Sequence, residues 1–357
     1  MPVSFSRCFT LFSVSMLFPL CIMIGVILET VSAEESRPVK SASMILSDAG
    51  AGLDQTVTIE SKGQFRLVFE AGDNWGIAQW YDLVNDPDAK TNLAFSKFED
   101  PGVREAGLFQ MVWSGTDPDD PKLYMGAAKA YQPKSDRSFT VLENKDSRIV
   151  VEAISHPLLA AGVLSNVTVA VRYYIYPDGK IYISTRMSAI NPQAIKEWRC
   201  AVIGLCDPTQ VGTSATPDSQ GWLRASAMQN PYKWRGRIEK YIFAYWTKST
   251  PAPNSNWTKA SIMLVPAAGN PHMTGQAGHN WTFFKRWYYN VNSISMNAGE
   301  PIVQNYLMQL GAENSGILPN IIDSSVADPI ADAYLAVQTP PGGFVKGVNK
   351  GTVKNGE

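Results

Sequence analysis

Residues 166–188, NVTVAVRYYIYPDGKIYISTRMS, constrain the fold of this chain more than any other stretch. At their centre, Tyr176-Pro177-Asp178-Gly179-Lys180 carries turn chemistry. Proline presets φ at the second position, and glycine accepts the left-handed conformation that closes a bulged hairpin. Such a loop pairs Tyr176 with Lys180, and therefore Tyr174 with Tyr182 and Arg172 with Ser184. Side chains alternate across a strand, so this register sorts the ribbon into two faces. One face holds Val169, Val171, Tyr173, Ile175, Ile181, Ile183, Thr185 and Met187, which is a core face. The other holds Arg172, Tyr174, Tyr176, Tyr182 and Arg186. Both strands agree on this division, and a slip of one residue would destroy the agreement.

The rest of the chain repeats the theme. Residues 57–60, 64–70, 76–84, 139–143, 148–154, 261–266 and 302–310 are short runs, many rich in Val, Ile, Phe and Tyr, separated by clusters of Gly, Asn, Asp and Pro. No long amphipathic helix stands out; residues 327–338 suit a helical turn or two before Pro340. No repeat of fixed period is visible, which disfavours propellers and solenoids. The expected fold is all-β, a large antiparallel sandwich with few short helices.

The first 33 residues are different material. Arg7 is the sole charge before Glu29, an apolar run lies between them, and Val31-Ser32-Ala33 offers the small residues of a cleavage site. This order of charge, apolar run and small residues predicts a secretory signal peptide over residues 1–33, with an uncleaved membrane anchor as the rival. Residues 34–42 then form a flexible lead-in, 43–338 the sandwich, and 339–357 a linker or the start of a truncated further module, on the strength of Pro340-Pro341-Gly342-Gly343. The implied location is secreted, periplasmic or at the cell surface, with no membrane span once the signal is removed. Past Ala33 only Cys200 and Cys206 remain of the four cysteines. They either pair across a turn at Gly204 or sit as two thiols along one strand. A net charge of -1 on 357 residues excludes the basic excess of a nucleic-acid binder.

The polar ribbon face raises the question of a ligand. Three tyrosines beside two arginines offer aromatic surfaces for the C–H face of a sugar and bidentate forks for a carboxylate or sulfate. A carbohydrate, including an acidic polysaccharide, is one candidate partner; the alternative is a solvated sheet face, because Tyr and Arg tolerate strand geometry. The sequence has no phosphate loop, zinc signature or serine elbow, so no cofactor or metal is implied.

Residues 63–95, GQFRLVFEAGDNWGIAQWYDLVNDPDAKTNLAF, place a strand running from a glycine into Trp-Tyr-Asp-Leu before an Asn-Leu step. This pattern resembles the opening of galactose-mutarotase-like β-supersandwich domains, which occur in secreted polysaccharide lyases, glycoside hydrolases and epimerases. The resemblance implies a broad sheet that binds carbohydrate. Alternation from Ile77 places Tyr81 in the core and leaves Trp75, beside a turn, as a rim aromatic available to substrate.

A uronate lyase needs a group to neutralise the carboxylate, a base and an acid. His279, Arg286 and Tyr288 supply these types within one stretch, where Gly275 and Gly278 mark a loop, and Arg235 and Arg237 lie in a second rich stretch. His156, before a proline, and His272 are the other histidines. Two functions follow: a non-catalytic carbohydrate-binding accessory domain of a polysaccharide-processing protein, or a carbohydrate-active enzyme using that histidine region with the ribbon face.

Overall fold

The computed structural model describes residues 42–73, 75–94, 105–113, 123–127, 137–155, 167–206, 210–213, 223–224, 234–237, 240–246, 259–267, 274–281 and 284–347. Its strands are β1 (Met44–Ala49), β2 (Thr56–Ser61), β3 (Phe65–Glu70), β4 (Gly76–Asp82), β5 (Glu105–Trp113), β6 (Leu123–Ala127), β7 (Arg137–Lys145), β8 (Arg148–Ser155), β9 (Val167–Ile175) and β10 (Lys180–Ala189). They continue as β11 (Gln193–Cys206), β12 (Gln210–Thr213), β13 (Leu223–Arg224), β14 (Trp234–Arg237), β15 (Ile242–Tyr245), β16 (Ala260–Pro266), β17 (Thr274–Trp281), β18 (Phe284–Met296) and β19 (Ile302–Ala312), followed by helix α1 (Ser324–Val337).

They build two antiparallel sheets. One has ten strands, ordered β1-β2-β3-β4-β5-β11-β18-β17-β14 with β6 on β5; the other has nine, ordered β13-β12-β15-β16-β19-β10-β9-β8-β7. The all-β sandwich expected from the sequence is what forms, and each of the seven short runs named above overlaps a strand, five of them lying wholly within one.

The ribbon takes its expected register, with Tyr174 opposite Tyr182 and Arg172 opposite Ser184. The Tyr176 N–H donates to the Lys180 carbonyl at 2.9 Å. Gly179 adopts φ +78, and a Cβ there would stand 2.7 Å from Leu318 Cδ2 and 2.8 Å from the Leu310 oxygen. Gly179→Ala is therefore expected to cost about 2 kcal/mol, from left-handed strain plus overpacking. Urea unfolding of the two proteins would check this, and equal midpoints would refute it.

The apolar ribbon face enters the core between the sheets. Val169, Val171, Tyr173, Ile175, Ile181, Ile183 and Met187 are buried together with Ile59, Phe65, Leu67, Phe69 and Ile77 of the ten-stranded sheet. The Phe69 ring meets Phe139 at 5.3 Å and Tyr173 at 5.2 Å, which ties β3 to β7 and β9. Burial pushes the Tyr173 hydroxyl well above the ordinary tyrosine range.

Two details depart from the sequence expectations, and a third decides between two alternatives. First, Trp80 is the core residue at 4% exposure, with its ring 5.4 Å from that of Trp246, while Tyr81 is half-buried and donates to Gln79 Oε1. The cause is a bulge. Val68 pairs with Gln79 but Phe69 with Ile77, so Ala78 is skipped and the alternation changes phase between Ile77 and Trp80. Second, α1 is longer than a turn or two. The Asp323 side chain accepts from the Ser325 N–H at its start, and Ala327, Ala331 and Tyr334 form a buried stripe at helical spacing. This stripe packs on Tyr241, Phe243, Met263, Val265 and Leu307 of the nine-stranded sheet. Lys240 ties the helix down through Asp332 at 2.8 Å and Asp328 at 3.3 Å. Third, Cys200 and Cys206 lie on one continuous strand, without the turn at Gly204 that pairing required. At roughly 3.3 Å per residue their Cα atoms are far beyond disulfide reach.

Among the described residues no helix is long and apolar enough to cross a membrane.

Candidate functional site

The outer face of the nine-stranded sheet carries the arginine and tyrosine side chains of the ribbon. It is covered rather than open. Tyr174 is 1% exposed. The Phe344 ring stands edge-on to it at 5.8 Å, and the Arg148 guanidinium lies 5.7 Å from its centroid. Tyr176 donates its hydroxyl to the Pro341 carbonyl at 2.7 Å, and burial pushes that hydroxyl up to about 12. Tyr182 is half-buried between Tyr176, 5.7 Å away, and Tyr334 of α1, 5.6 Å away. Arg172 donates to Glu152, with Nε at 2.9 Å, and through Nη1 to the Val345 carbonyl at 2.6 Å. Arg186 alone of the five is exposed.

The expected sugar trough on this face is therefore corrected. The alternation that put these residues on one face holds, but α1 and the segment 339–347 lie over them. That segment, expected to begin a linker, is seated on the sandwich; 348–357 lie outside the described residues.

Trp75 is also corrected. It is 5% exposed, and its ring stacks at 4.8 Å on Phe139. Its φ of 61 is the reason. The left-handed residue of this connection, whose N–H donates to the Glu70 carbonyl at 2.8 Å, reverses the chain and carries the ring into the core.

His279, Arg286 and Tyr288 belong to the other sheet. Residues 274–281, expected as a loop, are strand β17, and Arg286 and Tyr288 lie on β18 beside it. Gly278, which precedes His279, stands opposite Arg286, and Gln276 stands opposite Tyr288. β14 pairs with the far side of β17 and sets Arg235 opposite Gln276 and Arg237 opposite Thr274. The two rich stretches of the sequence are thus neighbours in space. The ribbon arginines and tyrosines stand on the outer side of the nine-stranded sheet, whose inner side is the core. They do not share a groove with β17 and β18. His156 and His272 lie outside the described residues.

The Trp-Tyr-Asp-Leu and Asn-Leu elements prove architectural. The Asp82 carboxylate accepts from the Val84 N–H at 3.0 Å and from Asn85 Nδ2 at 2.8 Å. Asn92 Oδ1 accepts from the N–H groups of Trp80 and Ala94, both at 3.0 Å. The Leu93 N–H closes the knot on the Trp80 carbonyl at 2.8 Å. These side chains finish β4 and return the chain through polar groups that would otherwise be buried unpaired.

Sequence reasoning missed Arg148, Glu143 and Glu152. Arg148 forks onto Glu143, with Nε to Oε1 at 2.7 Å and Nη2 to Oε2 at 3.0 Å. Glu152 stands opposite Arg172 between β8 and β9. A charge in each of two adjacent apolar strands was the available signal, but residues 156–166 between them fix no register by themselves.

No protein-family model matches the chain, and no curated protein matches it. Among solved structures it is similar to a 4-alpha-glucanotransferase from Thermococcus litoralis, with TM-score 0.44, 11% identity, 75% of this chain and 39% of that one covered. It is similar to the galactose 1-epimerase of Lactobacillus acidophilus NCFM, with TM-score 0.42, 9% identity, 76% of this chain and 99% of that one. The heparan sulfate lyase HepC of Pedobacter heparinus gives TM-score 0.35 and 6% identity over 77% of this chain and 36% of that one. The chain thus spans about two fifths of the glucanotransferase. An aldose epimerase is thus among the solved structures it is similar to.

Proposed function

We propose that the chain is an exported carbohydrate-binding β-sandwich domain, a non-catalytic accessory part of a polysaccharide-processing protein, and that sugar meets the ten-stranded sheet around β14, β17 and β18. One observation carries the reading: Arg235, Gln276 and Tyr288 stand in a single cross-strand row, with Arg237, Thr274 and Asn290 in a second. Cross-strand rows are the units through which a sheet face acts. These rows combine a guanidinium, which forks onto a carboxylate or sulfate, with amides, a hydroxyl and a phenol ring. That set suits an acidic polysaccharide. The apolar run ahead of Val31-Ser32-Ala33 supports export.

The test is a glycan array followed by calorimetry with the glycans it retains. Arg235→Ala and Tyr288→Ala are each expected to weaken binding about tenfold, the loss of one good contact, with unchanged thermal unfolding. Unaltered affinity in both variants would remove the site.

A second reading is a lyase or epimerase working through His279, Arg286 and Tyr288. It is favoured by β17, which carries His279, lying beside β18, which carries Arg286 and Tyr288. Ultraviolet absorbance of an unsaturated uronate, formed by the native chain and absent with His279→Ala, would establish that reading over simple binding.

A further inference from the structure

The covered face of the nine-stranded sheet has the chemistry of a receptor. Arg148 Nη1 donates to the carbonyls of Pro341 at 2.8 Å and Gly343 at 2.9 Å. Arg172 Nη1 donates to that of Val345 at 2.6 Å, and Tyr176 adds a second donor to Pro341 at 2.7 Å. The acceptors fall on residues 341, 343 and 345 of one segment that turns at Pro340–Gly343, where the Gly343 N–H donates to the Pro340 carbonyl at 2.8 Å, and every one is a main-chain oxygen. Each guanidinium is itself fixed by a carboxylate, Arg148 by Glu143 and Arg172 by Glu152, so its outer N–H groups are aimed before any occupant arrives. Beside this row of donors, Tyr174 receives the edge-on Phe344 ring, and Val345 packs on Val150, Tyr174 and Tyr176.

We infer that this face, framed by Arg148, Arg172, Tyr174 and Tyr176, is a peptide-binding site. Its ligand class is a Pro-Gly-Gly turn followed by an aromatic residue, and its resident ligand is the chain's own 339–347. The segment's conformation fits that role. Gly342 and Gly343 both take left-handed φ, +79 and +76, and a Cβ on Gly342 would stand 3.1 Å from Arg148 Nη1. Two glycines are thus what let the carbonyls reach the arginines. Phe344, the residue that fills the aromatic contact, is still 50% exposed. Ordering such a segment costs free energy comparable to what a few charge-assisted hydrogen bonds contribute, so it lies at the weakly held end of a fold. A free peptide of the same sequence then competes with it.

The probe is a fluorescein-labelled peptide, TPPGGFVKG, followed by fluorescence polarisation against the full chain. Gly342→Val combined with Gly343→Val strains both left-handed positions, unseats the resident segment and leaves the receptor residues untouched. The peptide is expected to bind this variant at least tenfold more tightly than the unaltered chain, where the tethered segment competes at high effective concentration. Replacing the peptide's phenylalanine by alanine is expected to weaken it about tenfold. Equal binding to both chains, no binding to the double variant, or equal binding of a scrambled peptide would each overturn the assignment. Because the decisive comparison is made in the peptide, no outcome depends on an arginine variant folding.

Discussion

Phe69→Ala is expected to lower the unfolding free energy by about 3–5 kcal/mol, the range for removing a fully buried aromatic. Phe69 has 0% exposure and lies where the two sheets meet. Its ring is flanked by Phe139 of β7 at 5.3 Å and Tyr173 of β9 at 5.2 Å, with Trp75 stacked behind Phe139 at 4.8 Å. Tyr173 sits on β9, laddered on both sides to β8 and β10, and Phe139 on the edge strand β7, laddered to β8, so the cavity left by the ring collapses only in part. The whole stability of a domain is about 5–15 kcal/mol, so this one change removes a large share of it. Urea unfolding followed by tryptophan fluorescence reads the effect, and Phe69→Leu, which refills most of the space, should cost roughly 1.5 kcal/mol. A loss below about 1 kcal/mol for alanine would mean that the aromatic bridge between the sheets is not what holds them together.

The ribbon was legible because its signals are local. Pro177 and Gly179 fix a turn, the turn fixes a register, and the register divides inside from outside without reference to the rest of the chain. The same alternation misplaced Trp80 and Tyr81, because a bulge at Ala78 changes the phase and nothing in Gly-Ile-Ala-Gln announces it. Trp75 failed for a related reason. A non-glycine residue with φ of 61 follows no alternation, and such a conformation is uncommon enough that sequence alone argues against it. Helix α1 was underestimated because Pro329 sits inside it, although the Asp323 cap and the stripe of Ala327, Ala331 and Tyr334 were present to be read.

The outer face teaches a different lesson. Arg172, Tyr174 and Tyr176 were recognised as hydrogen-bond donors and ring surfaces, and they act as both. What occupies them was not legible, because a guanidinium fork and a phenol hydroxyl serve a sugar carboxylate and a peptide carbonyl alike. The deciding contacts join Arg148 to Gly343 and Arg172 to Val345, across sequence separations of 195 and 173. No local pattern encodes such a meeting. The same holds on the other sheet, where β14 meets β17 only because β15 and β16 cross to the nine-stranded sheet between them.

Arg148→Ala is expected to cost about 3–5 kcal/mol, as breaking a buried ion pair from one side does. The two side chains are only 10% and 15% exposed, so Glu143 would be left charged in a poorly solvated site with the exposed Lys145, at 3.1 Å, in place of its fork. The carbonyls of Pro341 and Gly343 would lose their shared donor as well, loosening the segment over Tyr174. The paired geometry makes a second measurement available. The hydrogen bonds from Arg148 hold the Glu143 carboxyl down, from the ordinary 4.5 to about 2. The unfolded chain therefore binds the proton more readily than the folded one. Stability from this group is complete above about 4.5 and is lost as pH falls towards about 2. Glu143→Gln removes that titration, so the fall in the urea midpoint of the native chain across this interval should flatten in the variant. Arg148→Ala should flatten it in part, since Lys145, 3.1 Å from Glu143 Oε2, still holds that carboxyl down. A native-like acid slope in either variant would place the titration on other carboxylates and leave the Glu143–Arg148 fork without its assigned share of stability.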